Sequence, residues 1–137
     1  MGKVIVTLRL TNLSDVHLSR HGFRKAKPRQ LDVAALVDTG ATRLYLKPSV
    51  IRKLGLQELD VVTSQTTNGA CLRRRYDSVR LELMGRYGDF QVIQIPETVP
   101  NLLGQIPLED LDLVVDSKGR KLIGNPEHGG EQMSEEY

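Results

Sequence analysis

Leu31-Asp32-Val33-Ala34-Ala35-Leu36-Val37-Asp38-Thr39-Gly40-Ala41-Thr42 is the stretch on which the fold of this chain turns. Leu31 to Val37 is a near-continuous apolar run, the pattern of a strand buried on both faces. It stops at Asp38. A carboxylate at the end of a buried strand is costly unless something bonds or pairs it. Gly40 lets the backbone turn and approach closely, so its N–H can bond that carboxylate. Thr39 can place its hydroxyl in a structural hydrogen bond, and Ala41 leaves room for a substrate. These residues read two ways: an Asx-type turn that closes a core strand, or a carboxylate poised for chemistry.

Upstream, residues 3–10 alternate as a first strand, and Asn12 with Ser14-Asp15 marks a turn. Residues 16–30 are basic and irregular, with Arg20, Arg24, Lys25, Lys27 and Arg29, and read as a solvated loop or the arms of a loose hairpin. Downstream, Thr42 to Leu46 reads as a short strand. Pro48 to Leu54 reads as a short helix with Pro48 in its first turn and Gly55 just past its end. Val61 to Thr67 and Ala70 to Tyr76 flank Asn68-Gly69, a hairpin signal of the I′ type. Val79 to Met84 and Phe90 to Ile95 flank a second turn over Gly85–Gly88. Pro107 to Leu111 reads as one helical turn, and strands follow at Leu113–Val115 and Lys121–Ile123. The expected fold is mainly β: a small closed barrel with one or two short helices over residues 1–124. Residues 125–137 are polar and Gly-rich and are expected to form a flexible tail.

Composition narrows the classes of function. The chain has 137 residues, room for one domain. A net charge of +2 is too small to mark it as a nucleic-acid binder. Cys71 is the single cysteine, which excludes an internal disulfide and a zinc cluster of the usual kind. His17, His21 and His128 share no ligand-like spacing and read as surface or loop residues. No signal segment or membrane-length apolar run is legible, so the expectation is a cytoplasmic protein without a membrane partner.

Ala35-Leu36-Val37-Asp38-Thr39-Gly40-Ala41-Thr42 resembles the active-site strand and loop of the retropepsins and their cellular relatives, the retropepsin-like aspartic proteases. Two further segments follow in the family's order. Leu72 to Leu83 resembles the descending arm of the flap and the strand after it. Val99-Pro100-Asn101-Leu102-Leu103-Gly104 resembles the late wall strand with its apolar-apolar-Gly. The segment from Leu111 to Asp116, continuing to Asn125–His128, is more similar to the shorter cellular and bacterial members than to the viral ones.

The resemblance implies an aspartic endopeptidase working as a two-fold homodimer on a peptide or protein substrate, with no metal or organic cofactor. It makes Asp38 the catalytic acid or base, with Thr39, Gly40 and Ala41 supporting the dyad and the substrate backbone. Thr67, Asn68 and Gly69 become the flap tip, and Leu36, Ala41, Pro100 and Leu102 line side-chain pockets. No other Asp in the chain is followed by Ser/Thr-Gly, so the second carboxylate has to come from a twin subunit. A weakly active dimeric peptide-binding or scaffold module of the same fold is the alternative. Viral members commonly carry an Arg after the apolar-apolar-Gly and an acid after the Asp-Thr-Gly-Ala. Here those positions are Gln105 and Thr42, so both partners are absent together.

Overall fold

The computed structural model describes residues 3–134. In chain order these form β1 (Ile5–Asn12), α1 (Leu13–Arg20), β2 (Gln30–Val37), β3 (Leu44–Leu46), α2 (Pro48–Leu54), β4 (Glu58–Thr66), β5 (Gly69–Leu83), β6 (Arg86–Gln94), β7 (Leu102–Leu103), α3 (Gln105–Asp110), β8 (Leu113–Asp116) and β9 (Lys121–Gly124), with a 3-10 turn at Pro126–His128. The chain is mainly β with few short helices, as its many Val and Ile residues favour. Among the described residues there are three α-helices, where one or two were expected. No helix among them is long and apolar enough to cross a membrane.

Seven strands form one sheet in the order β1-β2-β7-β3-β6-β5-β4, and β5, besides β6 and β4, also pairs with β1. Leu8, Leu10, Leu44, Leu46, Val79, Leu81, Val92 and Leu103 fill its inner face, joined by Ile51 and Leu54 of α2 and Leu108 of α3. Each fully buried Leu contributes roughly 2 kcal/mol by leaving water. β2 corrects one expectation. Val33 and Ala35 are buried while Asp32 and Ala34 are exposed, so the strand alternates and only one face meets the core. Ala is too small for its apolar character to demand burial, and Asp32 is held outside by Arg9 at 3.2 Å.

α1 lies where a turn at Asn12 to Asp15 and the start of a solvated loop or loose hairpin were expected. Its sequence, Leu-Ser-Asp-Val-His-Leu-Ser-Arg, has no strong apolar stripe, so periodicity gave no signal. A cap starts it instead: the Asn12 side chain accepts the Asp15 N–H at 3.0 Å and donates to Leu54 O at 2.8 Å. Asp15 is buried and gathers the basic segment onto itself. It accepts Arg29 N–H at 3.0 Å, Arg29 Nε at 2.8 Å and Arg29 Nη2 at 3.0 Å, with Arg24 at 3.6 Å.

The hairpins also differ from the sequence reading. The β4–β5 loop is Thr67-Asn68, closed by the pair Thr66↔Gly69, and only Gly69 there has positive φ, at 105°. A I′ turn needs positive φ at both central residues, so Asn68-Gly69 is not one. The Thr66 hydroxyl fixes this register by donating to Gly69 O at 2.7 Å and accepting the Asn68 N–H at 3.2 Å. The φ pattern of a I′ turn occurs instead at Met84-Gly85, with φ 54° and 74°, closed by Leu83↔Arg86. Gly88, expected in that turn, lies inside β6. The segments 70–76 and 79–84, expected as separate strands, are one strand, β5, with an irregularity between Tyr76 and Val79.

β8 and β9 form a separate two-stranded sheet. Beyond it, residues 125–133 return to Asp112, at the C-terminal end of α3. The Asp112 carboxylate meets His128 Nδ1 at 2.6 Å, Asn125 Nδ2 at 3.2 Å and Met133 N–H at 3.1 Å. Arg86 adds a bond to Gly130 O at 2.6 Å. His128 is therefore a paired side chain rather than a loose surface one.

Candidate active-site loop

β2 and β3 are consecutive in the chain, yet β7 lies between them. β7 is parallel to β2, through Leu36↔Leu102 and Val37↔Leu103, and antiparallel to β3, through Leu44↔Leu103 and Tyr45↔Leu102. The segment from Asp38 to Arg43 must therefore pass over the end of β7, and it is tied down where it crosses. Asp38 N–H donates to Leu103 O at 2.9 Å, and Ala41 N–H to Asp38 O at 3.1 Å. Gly104, Gln105 and Ile106 N–H donate to the carbonyls of Arg43, Ala41 and Thr42 at 2.9, 2.8 and 2.9 Å. The last two are first-turn donors of α3, which have no partner inside the helix. The loop carbonyls supply one.

Gly104 permits this close approach. A Cβ there would lie 2.7 Å from Arg43 N and 2.8 Å from Ala41 O, both backbone atoms with no freedom to move aside. Its value therefore lies in space, since its φ of −90° is open to any residue. Asn101 holds the other side. Its buried amide donates to Ala34 O at 3.0 Å and accepts Lys47 N–H at 2.9 Å, while its carbonyl accepts Leu36 N–H at 2.8 Å. Asn101 and Gly104 are the two positioning residues that the residue-by-residue reading did not single out. The available signals were a lone amide within Val99–Leu103 and a Gly directly after the Leu pair.

The outcome at Asp38 is a half-buried carboxylate fixed at its root and open at its tip. Its Oδ1 accepts the Gly40 N–H at 3.0 Å, as the spacing predicted. Among the described residues it has no other hydrogen bond or ion pair. Thr39 and Gly40 are exposed beside it and Ala41 is half-buried. Such a group can take or give a proton to a molecule that reaches it. Among the described residues no cluster of three or more His, Cys, Asp or Glu could hold a metal.

The structure gathers Leu36 and Leu102, both half-buried, as register partners one strand-end from Asp38, with exposed Pro100 next to Asn101. Thr67, Asn68 and Gly69 lie elsewhere, at the tip of the β4–β5 hairpin. No hydrogen bond joins that tip to the Asp38 loop among the described residues. The two positions where viral members pair an Arg with an acid make local contacts instead. Thr42 Oγ1 lies 3.3 Å from the Tyr45 hydroxyl, and Gln105 Nε2 donates to Glu109 at 3.0 Å.

Residues 25–106, more than half of the chain, match the family model for aspartyl proteases. Among solved structures, EIAV protease in complex with the inhibitor HBY-793 superposes with a TM-score of 0.57 at 15% identity, covering 80% of this chain and 88% of that one. No curated protein matches the chain.

Proposed function

The chain belongs to the aspartyl protease family, and from that premise we propose that it is an endopeptidase whose dyad is made of Asp38 from each subunit of a homodimer. The observation that carries this is the state of Asp38: a carboxylate held by the Gly40 N–H and by the backbone of β7, yet open to solvent on its remaining side. Asp116 accepts the same kind of bond, from Lys118 N–H at 3.2 Å, in the β8–β9 turn; Asp38 differs in standing where β2 ends beside β7, with its backbone N–H bonded to Leu103 O. The chain has one Asp-Thr-Gly, so a two-fold axis beside Asp38 completes the site with a second copy.

In this reading the two carboxylates share one proton, because like charges that close do not both ionise easily. The ionised one takes a proton from a bound water as that water attacks the scissile carbonyl. The protonated one polarises the carbonyl oxygen and then helps pass a proton to the leaving amine. Thr39 hydrogen-bonds across the axis and fixes the pair. Gly40 and Ala41 contact the substrate backbone. Leu36, Pro100 and Leu102 line side-chain pockets. The tip at Thr67, Asn68 and Gly69 closes over the peptide and excludes water. The additional β1–β5 pairing supports reading the sheet as a closed barrel under this site. No metal or organic cofactor takes part, and a reducing, cytoplasmic setting suits the single free Cys71.

The test is cleavage of a peptide library by the wild type and by Asp38→Asn, with specific activity followed on dilution through the dimer dissociation range. Cleavage confined to the wild type and falling on dilution supports the reading. Turnover by Asp38→Asn, or by a protein that sediments strictly as a monomer, overturns it.

A further inference from the structure

At the foot of the β4–β5 hairpin lies a groove of about 350 Å³, lined by Pro48, Leu72, Arg73, Arg74, Ile95 and Pro96. It opens where two strands part. The β5–β6 pairing ends at Arg75↔Ile93, and β6 itself ends at Gln94. Pro96, two residues on, has no N–H with which to extend a ladder. From Gly69 to Arg74, β5 is therefore paired with β4 alone among the described residues. Its second backbone edge is open beside the groove, and an open edge is a template for an added strand.

The side chains around this edge specify what would be added. Pro48, Ile95 and Pro96 give the groove an apolar lining, and Leu72 stands at its rim with 70% of its surface exposed. Arg73 is in no ion pair among the described residues, and Arg74 reaches Glu58 only at 3.9 Å. Arg75, next along, is already bound to Asp60. The nearest acid along the chain from Pro96 is Glu97. Its carboxylate is taken by Ser49 N–H at 2.9 Å and Ser49 Oγ at 2.7 Å, and Lys47 and Arg52 further offset its charge. Positive charge is therefore in excess around an apolar slot with a free backbone edge.

We propose that this groove binds an extended acidic–apolar segment of the protein substrate, added to β5 as a strand and lying outside the dyad. The proposal rests on the peptidase reading for the identity of its occupant. Main-chain bonds to β5 give affinity, apolar side chains enter between Leu72 and the two prolines, and carboxylates meet Arg73 and Arg74. Because Leu72 to Arg74 belong to the hairpin while Pro48 and Pro96 belong to the body, one bound segment would also tie the hairpin to the body.

The probe is a fluorescein-labelled ten-residue peptide alternating Glu with Val and Leu, titrated by anisotropy into full-length Asp38→Asn protein, so that binding is read without cleavage. The expected result is saturable binding that weakens with salt. It should fall at least about tenfold in Arg73→Ala/Arg74→Ala and in Leu72→Asp, and persist in wild-type protein whose dyad cleft is filled, and cleavage thereby blocked, by a statine-containing peptide. In the wild-type background, the double variant should keep its kcat/KM on a short neutral peptide within about twofold and lose about tenfold on a long acidic one. Equal binding by the double variant, or displacement of the probe by the statine peptide, overturns the proposal. Binding as described in a protein that cleaves no peptide would leave the groove standing and sink the peptidase reading alone.

Discussion

Asp15 and Asp38 lie on either side of β2, and the fold treats their carboxylates in opposite ways. Asp15 is buried and saturated: three donors of Arg29 converge on it, and Arg24 stands beyond. Those contacts hold its carboxyl below the usual carboxylate range, the hydrogen bond from the Arg29 side chain most of all. Asp38 is half-buried and receives one backbone N–H. The effort around Asp38 goes into the backbone that carries it, through Leu103, Gly104, Gln105 and Ile106. The difference is instructive. Asp15 has its oxygens filled by the protein and holds structure, whereas Asp38 has its root fixed and its oxygens largely open, as the proposed role at a substrate requires.

Exchanging the two acids for amides should separate these roles most sharply. Asp38→Asn should lower peptide hydrolysis by about a thousandfold or more while the thermal midpoint stays within about a degree or two of wild type. Asp15→Asn should do the reverse. It should lose about 2 kcal/mol of stability, because Arg29 keeps its place without a matching charge, while the folded fraction retains its turnover. Denaturant melts and kcat/KM on one peptide measure both. A destabilised Asp38→Asn, or an inactive but stable Asp15→Asn, would break the comparison.

The backbone side of the contrast is probed at Gly104. Gly104→Ala should cost about 2 kcal/mol through overpacking, because the added methyl meets the backbone of Arg43 and Ala41. It should also lower kcat/KM by more than tenfold, since the displaced atoms carry Asp38. A variant with wild-type activity would mean that the Asp38 loop tolerates movement.

Acid titration sharpens the structural side. The Asp15 carboxyl is lowered in the folded state. Its stabilisation is therefore fully present above the unfolded value of about 4 and is lost as pH falls through the lower folded value. Wild-type stability should decline across that acidic window, and Asp15→Asn should flatten the decline without abolishing it. Asp112, lowered chiefly by its bond to His128, supplies part of the remainder with the same sign. An Asp15→Asn profile parallel to wild type would remove Asp15 from this account.

The smallest effect is expected at the other saturated carboxylate. His128→Ala removes one of the Asp112 contacts. It should raise amide exchange across residues 125–133 while leaving β1 to β7 and turnover unchanged. Loss of activity in this variant would show that the Asp112 end of α3 communicates with the Asp38 end.

Much of this was legible in the residues, for identifiable reasons. The apolar run ending at Asp38, the bond from Gly40 to its carboxylate, and the helix between Pro48 and Gly55 are local matters. They are set by side-chain character, by a missing Cβ and by φ preferences, all of which act within a few positions of one another. What was misread depended on partners far along the chain. α1 has no strong apolar stripe and forms because Asn12 caps it and also reaches Leu54, while Asp15 draws in Arg29. The I′ conformation moved from Asn68-Gly69 to Met84-Gly85 because the registers of β5 with β4 and β6 set each turn. Asn101 and Gly104 became positioning residues only once β7 entered between β2 and β3, an insertion that no local pattern encodes. The sequence by itself singled out Asp38 as the candidate carboxylate, because the Thr39-Gly40 that marks it is covalently adjacent. Only the tertiary structure decided how the backbone that carries that carboxylate is held, because its partners Leu103, Gly104, Gln105 and Ile106 come from about sixty residues away along the chain and meet it only when the sheet assembles.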